Sequence, residues 1–100
     1  MPDEVKDFFG HALRLAQFGG KHVDAKPLKG FGGAGVLEVV EDYRGDAYRA
    51  VYTVRFPTAV YVLHCFQKKS RRGIATPRPD MDLITTRLKI AAMSDKGNRT

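Results

Sequence analysis

The sequence predicts an α+β protein, with an N-terminal and a C-terminal helix packed on a small, mainly antiparallel sheet. Three observations support this class: apolar residues recur with helical spacing at both ends of the chain, strand-like segments fill its middle, and turn residues separate them. With 100 residues, all the apolar segments must share one core. We therefore expect one domain over residues 1–100.

The first predicted element is a helix from Asp3 to about Phe18. Asp3 is a candidate N-cap, and the pair Gly19-Gly20 is suited to end the helix because glycine adopts a left-handed backbone easily. We expect this helix to cover the sheet with its apolar residues, which recur at spacings of three and four: Val5, Phe8, Phe9, Ala12, Leu13, Leu15 and Ala16.

The following segment, residues 21–35, is rich in glycine and contains Pro27, which predicts an irregular connection. Its GFGGAG sequence is similar to phosphate-binding loops, but those loops follow a strand and open a helix. Here a helix comes before and a strand comes after, so we reject a nucleotide-binding loop. We expect the connection to hold Lys26 and Lys29 beside the sheet.

Three strands are visible in the middle of the chain. The segments Val36 to Glu41, Ala47 to Phe56 and Ala59 to Phe66 are rich in β-branched and aromatic residues. Residues 42–46 are a turn, and Pro57-Thr58 interrupts the pattern because proline donates no hydrogen bond. Their order along the chain predicts an antiparallel meander.

Alternation of side chains predicts the register of the last two strands. A three-residue connection would set Arg49 opposite Gln67 and Arg55 opposite Tyr61, which keeps both arginines on the polar face. We prefer this register because a slip of one residue would move the arginines onto the apolar face.

His64 has two interpretations that depend on this register. With the three-residue connection it shares the apolar face, and we expect a core histidine. A two-residue connection would bring Arg49 to Phe66 and His64 beside Arg49, where a side chain that titrates near neutrality suits acid–base chemistry.

The last helix is predicted to begin near Asp80 and to continue to about Ser94, with a frayed tail beyond it. Glu38, on the first of the three strands, is either a carboxylate aimed at a site or a solvent-facing strand residue. We expect the second, because isolated acids are seldom catalytic.

The charge balance indicates a polyanionic partner. Seventeen bases against eleven acids give a formal net charge of +6. The stretch from Arg44 to Arg78 holds eight Arg or Lys and one acid, Asp46. A basic stripe is typical of a nucleic-acid contact, although a solvated surface that keeps the protein soluble explains it equally well.

Several other classes lack support in the sequence. The longest apolar stretch is too short for a membrane span, and the segment MPDEVKDFF carries acids where a secretory signal carries bases, so we expect a cytoplasmic protein. Cys65, the single cysteine, and three scattered histidines offer no metal-ligand set. We expect neither a metal nor a cofactor.

Three stretches in order, AKPLKGFGGAGVLEV, YRAVYTV and VYVLHCFQKKS, together with the closing helix, form a specific pattern. The pattern resembles the RelE/ParE superfamily of toxins from bacterial toxin–antitoxin pairs, and within it the HigB-like, phage-related branch. The similarity covers roughly residues 3–93. It implies a RelE-like fold and a type II toxin that cleaves messenger RNA in the ribosomal A site, without a metal. A cognate antitoxin of the helix-turn-helix type would cover it and would provide its contact with operator DNA.

The resemblance also implies a set of site residues. Arg49 follows the tyrosine of the YR pair and would stabilise the phosphate, a role that Lys69 would share. Lys68 would either assist proton transfer or bind phosphate, and we favour binding. The residues expected to contact RNA are Lys26, Lys29, Arg55, Gln67, Arg71 and Arg72.

Departures from the family pattern leave the general base unassigned. RelE-like enzymes carry lysines where this chain has VLEVVED, and YoeB-like enzymes place a glutamate where this chain has Lys26. The family also usually begins with a strand, whereas this chain begins at the helix. Two further functions therefore stay open: a ParE-like, non-enzymatic inhibitor of gyrase, and an inactive member that only binds antitoxin and operator DNA.

Overall fold

The computed structural model describes residues 1–20, 22–31, 35–56, 58–68 and 76–98. Within these ranges the chain forms two helices and one antiparallel sheet of four strands, in the order β1-β2-β3-β4. The elements are α1 (Asp3–Gln17), β1 (Lys26–Pro27), β2 (Val36–Tyr43), β3 (Asp46–Thr53), β4 (Val62–Lys68) and α2 (Arg78–Asn98). The predicted α+β class is confirmed, and the arrangement is consistent with a RelE-like fold.

Helix α1 covers one face of the sheet, as expected. Its buried side chains contact the even-numbered residues of β3 and the odd-numbered residues of β2. The helix follows Pro2, which occupies the N-cap position predicted for Asp3, and it is followed by Gly19 with a φ of +81°. This core consists of Val5, Phe9, Ala12, Ala16, Ala25, Leu37, Val39, Tyr48, Ala50 and Tyr52.

The hairpin of β2 and β3 turns at only two residues. Arg44 and Gly45 both have positive φ, +52° and +84°, which is the backbone of the tight turn that matches the twist of two paired strands. Tyr43 and Asp46 are already paired with each other. The turn is therefore shorter than the five residues predicted from the sequence.

The predicted register of β3 and β4 is wrong. Arg49 lies opposite Phe66, not Gln67, and the pairing shifts beyond Val51, so that Leu63 is the extra residue of a bulge. The chain leaves the sheet at Thr53, several residues before the predicted break. The connection from β3 to β4 ends at Tyr61, whose carbonyl oxygen accepts a hydrogen bond of 2.9 Å from the Thr53 amide.

A second core lies on the other face of the sheet, which also carries Arg49. Helix α2 packs there against β4, and the core consists of Leu28, Val36, Val51, Leu63, Ile84 and Ala91. At the far end of α2, fully buried Asp95 accepts hydrogen bonds from the amide and hydroxyl of Thr58. Helix α2 therefore continues to Asn98, beyond the end near Ser94 predicted from the sequence.

Strand β1 was not predicted. It pairs Lys26 with Glu38 and Pro27 with Leu37, and the Leu28 amide then donates to the Val36 carbonyl at 2.9 Å. Only two residues form this strand, too few for a sequence pattern. Neither described helix is long and apolar enough to cross a membrane.

Candidate functional site

One row of the sheet register crosses all four strands and carries three ionisable side chains. Lys26 lies opposite Glu38, Glu38 opposite Val51, and Val51 opposite His64. Neighbouring strands are about 4.8 Å apart, so the backbones of Glu38 and His64 are about 10 Å apart. Arg49 is two residues from Val51 on the middle strand and therefore lies on the same face. The sheet thus presents a carboxylate, a guanidinium and an imidazole on one face.

Glu38 and Arg49 form a buried ion pair. Arg49 Nη1 donates to Glu38 Oε2 at 3.0 Å, and the two side chains are only 11% and 9% exposed, respectively. The same nitrogen also donates to Thr76 Oγ1 at 3.4 Å. Lys26 Nζ, on a side chain that is 67% exposed, lies 3.9 Å from Glu38 Oε1. The carboxylate therefore faces one buried and one solvated cation.

The expectation that Glu38 faces solvent is wrong. Its neighbours Val36 and Val51 belong to the second core, and an ionised carboxylate is tolerated there because it is paired and hydrogen-bonded. A sequence signal for this contact exists. With Arg44 and Gly45 as a two-residue turn, Glu38 and Arg49 fall on diagonally adjacent positions of the hairpin.

His64 is held by polar contacts from α2. Its Nε2 is 2.9 Å from Asp80 Oδ1, with 14% of the His64 side chain and 27% of the Asp80 side chain exposed. Arg87 Nη1 donates to the Leu63 carbonyl at 2.8 Å and lies 3.4 Å from His64 Nδ1. The ring also stacks on Phe66, with centroids 4.6 Å apart.

The register behind the interpretation of His64 as a core histidine is therefore wrong, although the side chain is largely buried and stacks on Phe66 at the second core. The register that places Arg49 opposite Phe66 also places His64 on the Arg49 face, two residues along β4. This is the arrangement expected for the shorter connection, although a bulge and a longer loop produce it. Sequence reasoning missed Asp80 and Arg87 as site residues, because their role depends on how α2 packs.

The other predicted site residues lie at the end of β4, on the surface, or outside the described ranges. Lys68 lies opposite Ala47 in the register, two positions beyond Phe66, whereas Gln67 lies opposite Tyr48 of the α1 core. Lys29 is exposed, as is Arg55, whose guanidinium lies 5.5 Å from the centre of the Phe56 ring. The predictions for Lys69, Arg71 and Arg72 concern residues outside the described ranges.

The arrangement suits proton transfer next to a bound anion. A carboxylate accepts a proton, an imidazole accepts or donates one, and a guanidinium presents a planar fork to phosphate oxygens. The described residues include no group of three or more His, Cys, Asp or Glu placed to hold a metal. Cys65 pairs with Ala50 of the α1 core, and burial raises the pKa of its thiol.

Comparison with known proteins gives one family. Residues 1–89 match the family described as phage-derived protein Gp49-like (DUF891). The matched span contains the four-strand row, Arg49, and the part of α2 that holds Asp80 and Arg87. No curated protein and no solved structure matches the chain.

Proposed function

Because the chain belongs to the phage-derived Gp49-like (DUF891) family, a RelE-like family associated with toxins of toxin–antitoxin pairs, we propose that it is a ribosome-dependent messenger RNA endonuclease. Within the superfamily we assign it to the HigB-like branch, on the motifs described above. A cognate antitoxin of the helix-turn-helix type would neutralise it.

The grouping of Glu38, Arg49 and His64 on one sheet face carries this proposal. Cleavage of RNA without a metal needs a base for the 2′-hydroxyl, a cation for the phosphate, and an acid for the leaving 5′-oxygen. Base and acid must stand on opposite sides of the phosphorus, because attack and departure are in line. Glu38 and His64 stand on opposite sides of the middle strand, and Arg49 lies on that strand two residues from the row that they share.

The reaction then proceeds in one displacement. Glu38 takes the proton of the 2′-hydroxyl, and the 2′-oxygen forms a bond to phosphorus. The bond from phosphorus to the 5′-oxygen breaks as that oxygen receives a proton from protonated His64. The products are a 2′,3′-cyclic phosphate and a 5′-hydroxyl, and the two side chains exchange their protons with water to return to the starting state.

Arg49 stabilises the negative charge that develops on the phosphate. Loss of one such preorganised donor costs about 100-fold to 1,000-fold in rate in other enzymes. Lys69 remains proposed to share this role, and Lys68, the last residue of β4, remains proposed to bind phosphate. Arg71 and Arg72 remain proposed RNA contacts in the basic stretch that follows β4. Lys26 is already placed beside Glu38, where its solvated ammonium can meet the RNA backbone.

Mapping the 5′ ends of cellular messages after brief induction tests this function. Cuts inside translated codons support it. Growth arrest without cuts, but with inhibited DNA supercoiling, would indicate a ParE-like gyrase inhibitor. Normal growth on induction, with binding to the antitoxin retained, would indicate an inactive member of the family. Glu38→Gln is the informative variant, because it keeps the shape of the side chain and removes the proposed base.

A further inference from the structure

The contacts of His64 define which ring nitrogen carries the proton in the resting protein. Nε2 lies 2.9 Å from Asp80 Oδ1, and an ionised carboxylate can only accept a hydrogen bond. Nε2 must therefore donate, which places a proton on it. This contact has the length of a charge-assisted hydrogen bond.

The second nitrogen has the opposite role. Nδ1 lies 3.4 Å from Arg87 Nη1, and a guanidinium can only donate. Nδ1 therefore presents its lone pair to Arg87. Arg87 is anchored independently, because Nη1 also donates to the Leu63 carbonyl at the shorter distance of 2.8 Å.

The ring is fixed from three directions. Asp80 and Arg87 are seven residues apart on α2, about two helical turns, and so project from the same side of that helix. Phe66 stacks on the ring with its plane tilted by only 16°. Across the sheet, β3 presents uncharged Val51 opposite His64. Among the residues that the structure describes, the charged groups in contact with the ring are Asp80 and Arg87, both from α2.

We propose that His64 donates its proton to the leaving 5′-oxygen through Nδ1. Asp80 is the positioning residue: it accepts the hydrogen bond from Nε2, so that Nδ1 is the nitrogen left to transfer a proton. This inference rests on the proposed function. In the reactive state Nδ1 also carries a proton, and Arg87 turns from the ring toward the incoming phosphate, which it contacts. The proton passes from Nδ1 to the 5′-oxygen as the bond from that oxygen to phosphorus breaks, and Nε2 keeps its proton on Asp80.

Nitrogen-15 NMR of the imidazole tests the arrangement without RNA. With His64 assigned by comparison with His64→Gln, its Nδ1 should give the resonance of an unprotonated nitrogen and Nε2 that of a protonated one at mildly alkaline pH. Asp80→Asn should reduce the population of this tautomer. A wild-type resonance pattern with the proton on Nδ1 would overturn the inference.

Cleavage rates test the consequence for function. We expect Asp80→Asn to lower the rate of ribosome-dependent cleavage at least tenfold, with unchanged RNA affinity and a shifted pH profile, since a histidine in the wrong tautomer loses much of its activity. Asp82→Asn, which removes an exposed charge two residues away on α2, should leave cleavage unchanged.

The outcomes separate the inference from the function on which it rests. If wild type cleaves RNA and Asp80→Asn cleaves as fast with a changed tautomer, the inference fails and the endonuclease remains. If His64→Gln cleaves normally, the inference fails in the same way. If wild type makes no cuts on translating ribosomes, the function and the inference fail together.

Discussion

Arg49 Nη1 donates a hydrogen bond of 3.0 Å to Glu38 Oε2 across the central hairpin, and about nine-tenths of each side chain is buried. Burial of two charges is unfavourable unless their geometry and hydrogen bonds compensate for lost hydration. Such a pair is therefore weak support for stability, and its place on the sheet face that carries His64 is consistent with the function proposed above.

Removal of one partner should destabilise the fold. Arg49→Met leaves the Glu38 carboxylate buried without its guanidinium, and we expect the free energy of unfolding to fall by about 3–5 kcal/mol. Urea denaturation followed by circular dichroism measures this loss.

A double-mutant cycle isolates the pair. Glu38→Gln combined with Arg49→Met should be more stable than Arg49→Met alone, because no buried charge is left unpaired. If the loss in the double variant equals the sum of the losses in Glu38→Gln and Arg49→Met, the two side chains are not coupled in solution. Lys29→Met, at an exposed lysine, is the matched control and should change little.

The C-terminal end of α2 should contribute to stability. Asp95 is fully buried and accepts from the Thr58 amide and hydroxyl, so Asp95→Ala leaves that amide without its carboxylate acceptor. We expect the free energy of unfolding to fall by about 1–3 kcal/mol. Lys96→Ala, at the next, exposed position, is the control. Equal thermal midpoints for the two variants would show that the Asp95 contact does not stabilise the protein, as expected for a frayed tail.

The hydroxyl of Tyr52 should destabilise the fold slightly. Its oxygen is buried and makes no hydrogen bond within the described residues, so Tyr52→Phe should raise the free energy of unfolding by about 1 kcal/mol at neutral pH. A decrease would show that the oxygen has a partner in solution.

The benefit of Tyr52→Phe should grow in alkali. Burial raises the pKa of Tyr52, so above about pH 10 the unfolded chain loses this proton while the folded chain retains it. The free energy of unfolding of the wild type therefore falls as the pH rises, whereas Tyr52→Phe has no hydroxyl at this position and lacks this pH dependence. Urea midpoints of both proteins at pH 7 and pH 10.5 measure the difference, and parallel midpoints would contradict it.

The thiol of Cys65 should react slowly with alkylating agents, although the residue as a whole is exposed. Burial raises the pKa of its thiol, and only the thiolate is nucleophilic. We expect alkylation by iodoacetamide at pH 8 to be several-fold slower in the folded protein than in urea. The alkylation rate should also continue to rise at pH values where an ordinary thiol is already fully ionised, because the pKa of Cys65 is raised. Equal rates at pH 8 would show that the thiol is solvated.

The sequence predicts the helices and the three long strands because their apolar periodicity extends over many residues. The end of α1 at Gln17, with Gly19 in the left-handed region, follows from local glycine chemistry. Strand β1 has only two residues, and its pairing depends on β2, so no local pattern announces it. The resemblance to RelE-like toxins agrees with the family match over residues 1–89.

The candidate site was only partly predictable. Arg49 stays a predicted site residue, and alternation alone places its charged side chain away from the buried face. A carboxylate two strand positions away makes burial of Arg49 possible, and this changes the register and moves His64 into the site. The bulge at Leu63 and the contacts of α2 are tertiary features that periodicity does not encode.

The most direct measurement of the central claim uses purified protein and ribosomes stalled with a defined codon in the A site. The wild type should cut the message within that codon and leave a 2′,3′-cyclic phosphate and a 5′-hydroxyl. Glu38→Gln should slow the cut by about 100-fold to 10,000-fold, the usual contribution of a general base. Arg49→Lys, which keeps the charge but loses the planar fork, should also slow it. Cleavage at the wild-type rate by folded Glu38→Gln and Arg49→Lys variants would contradict the account.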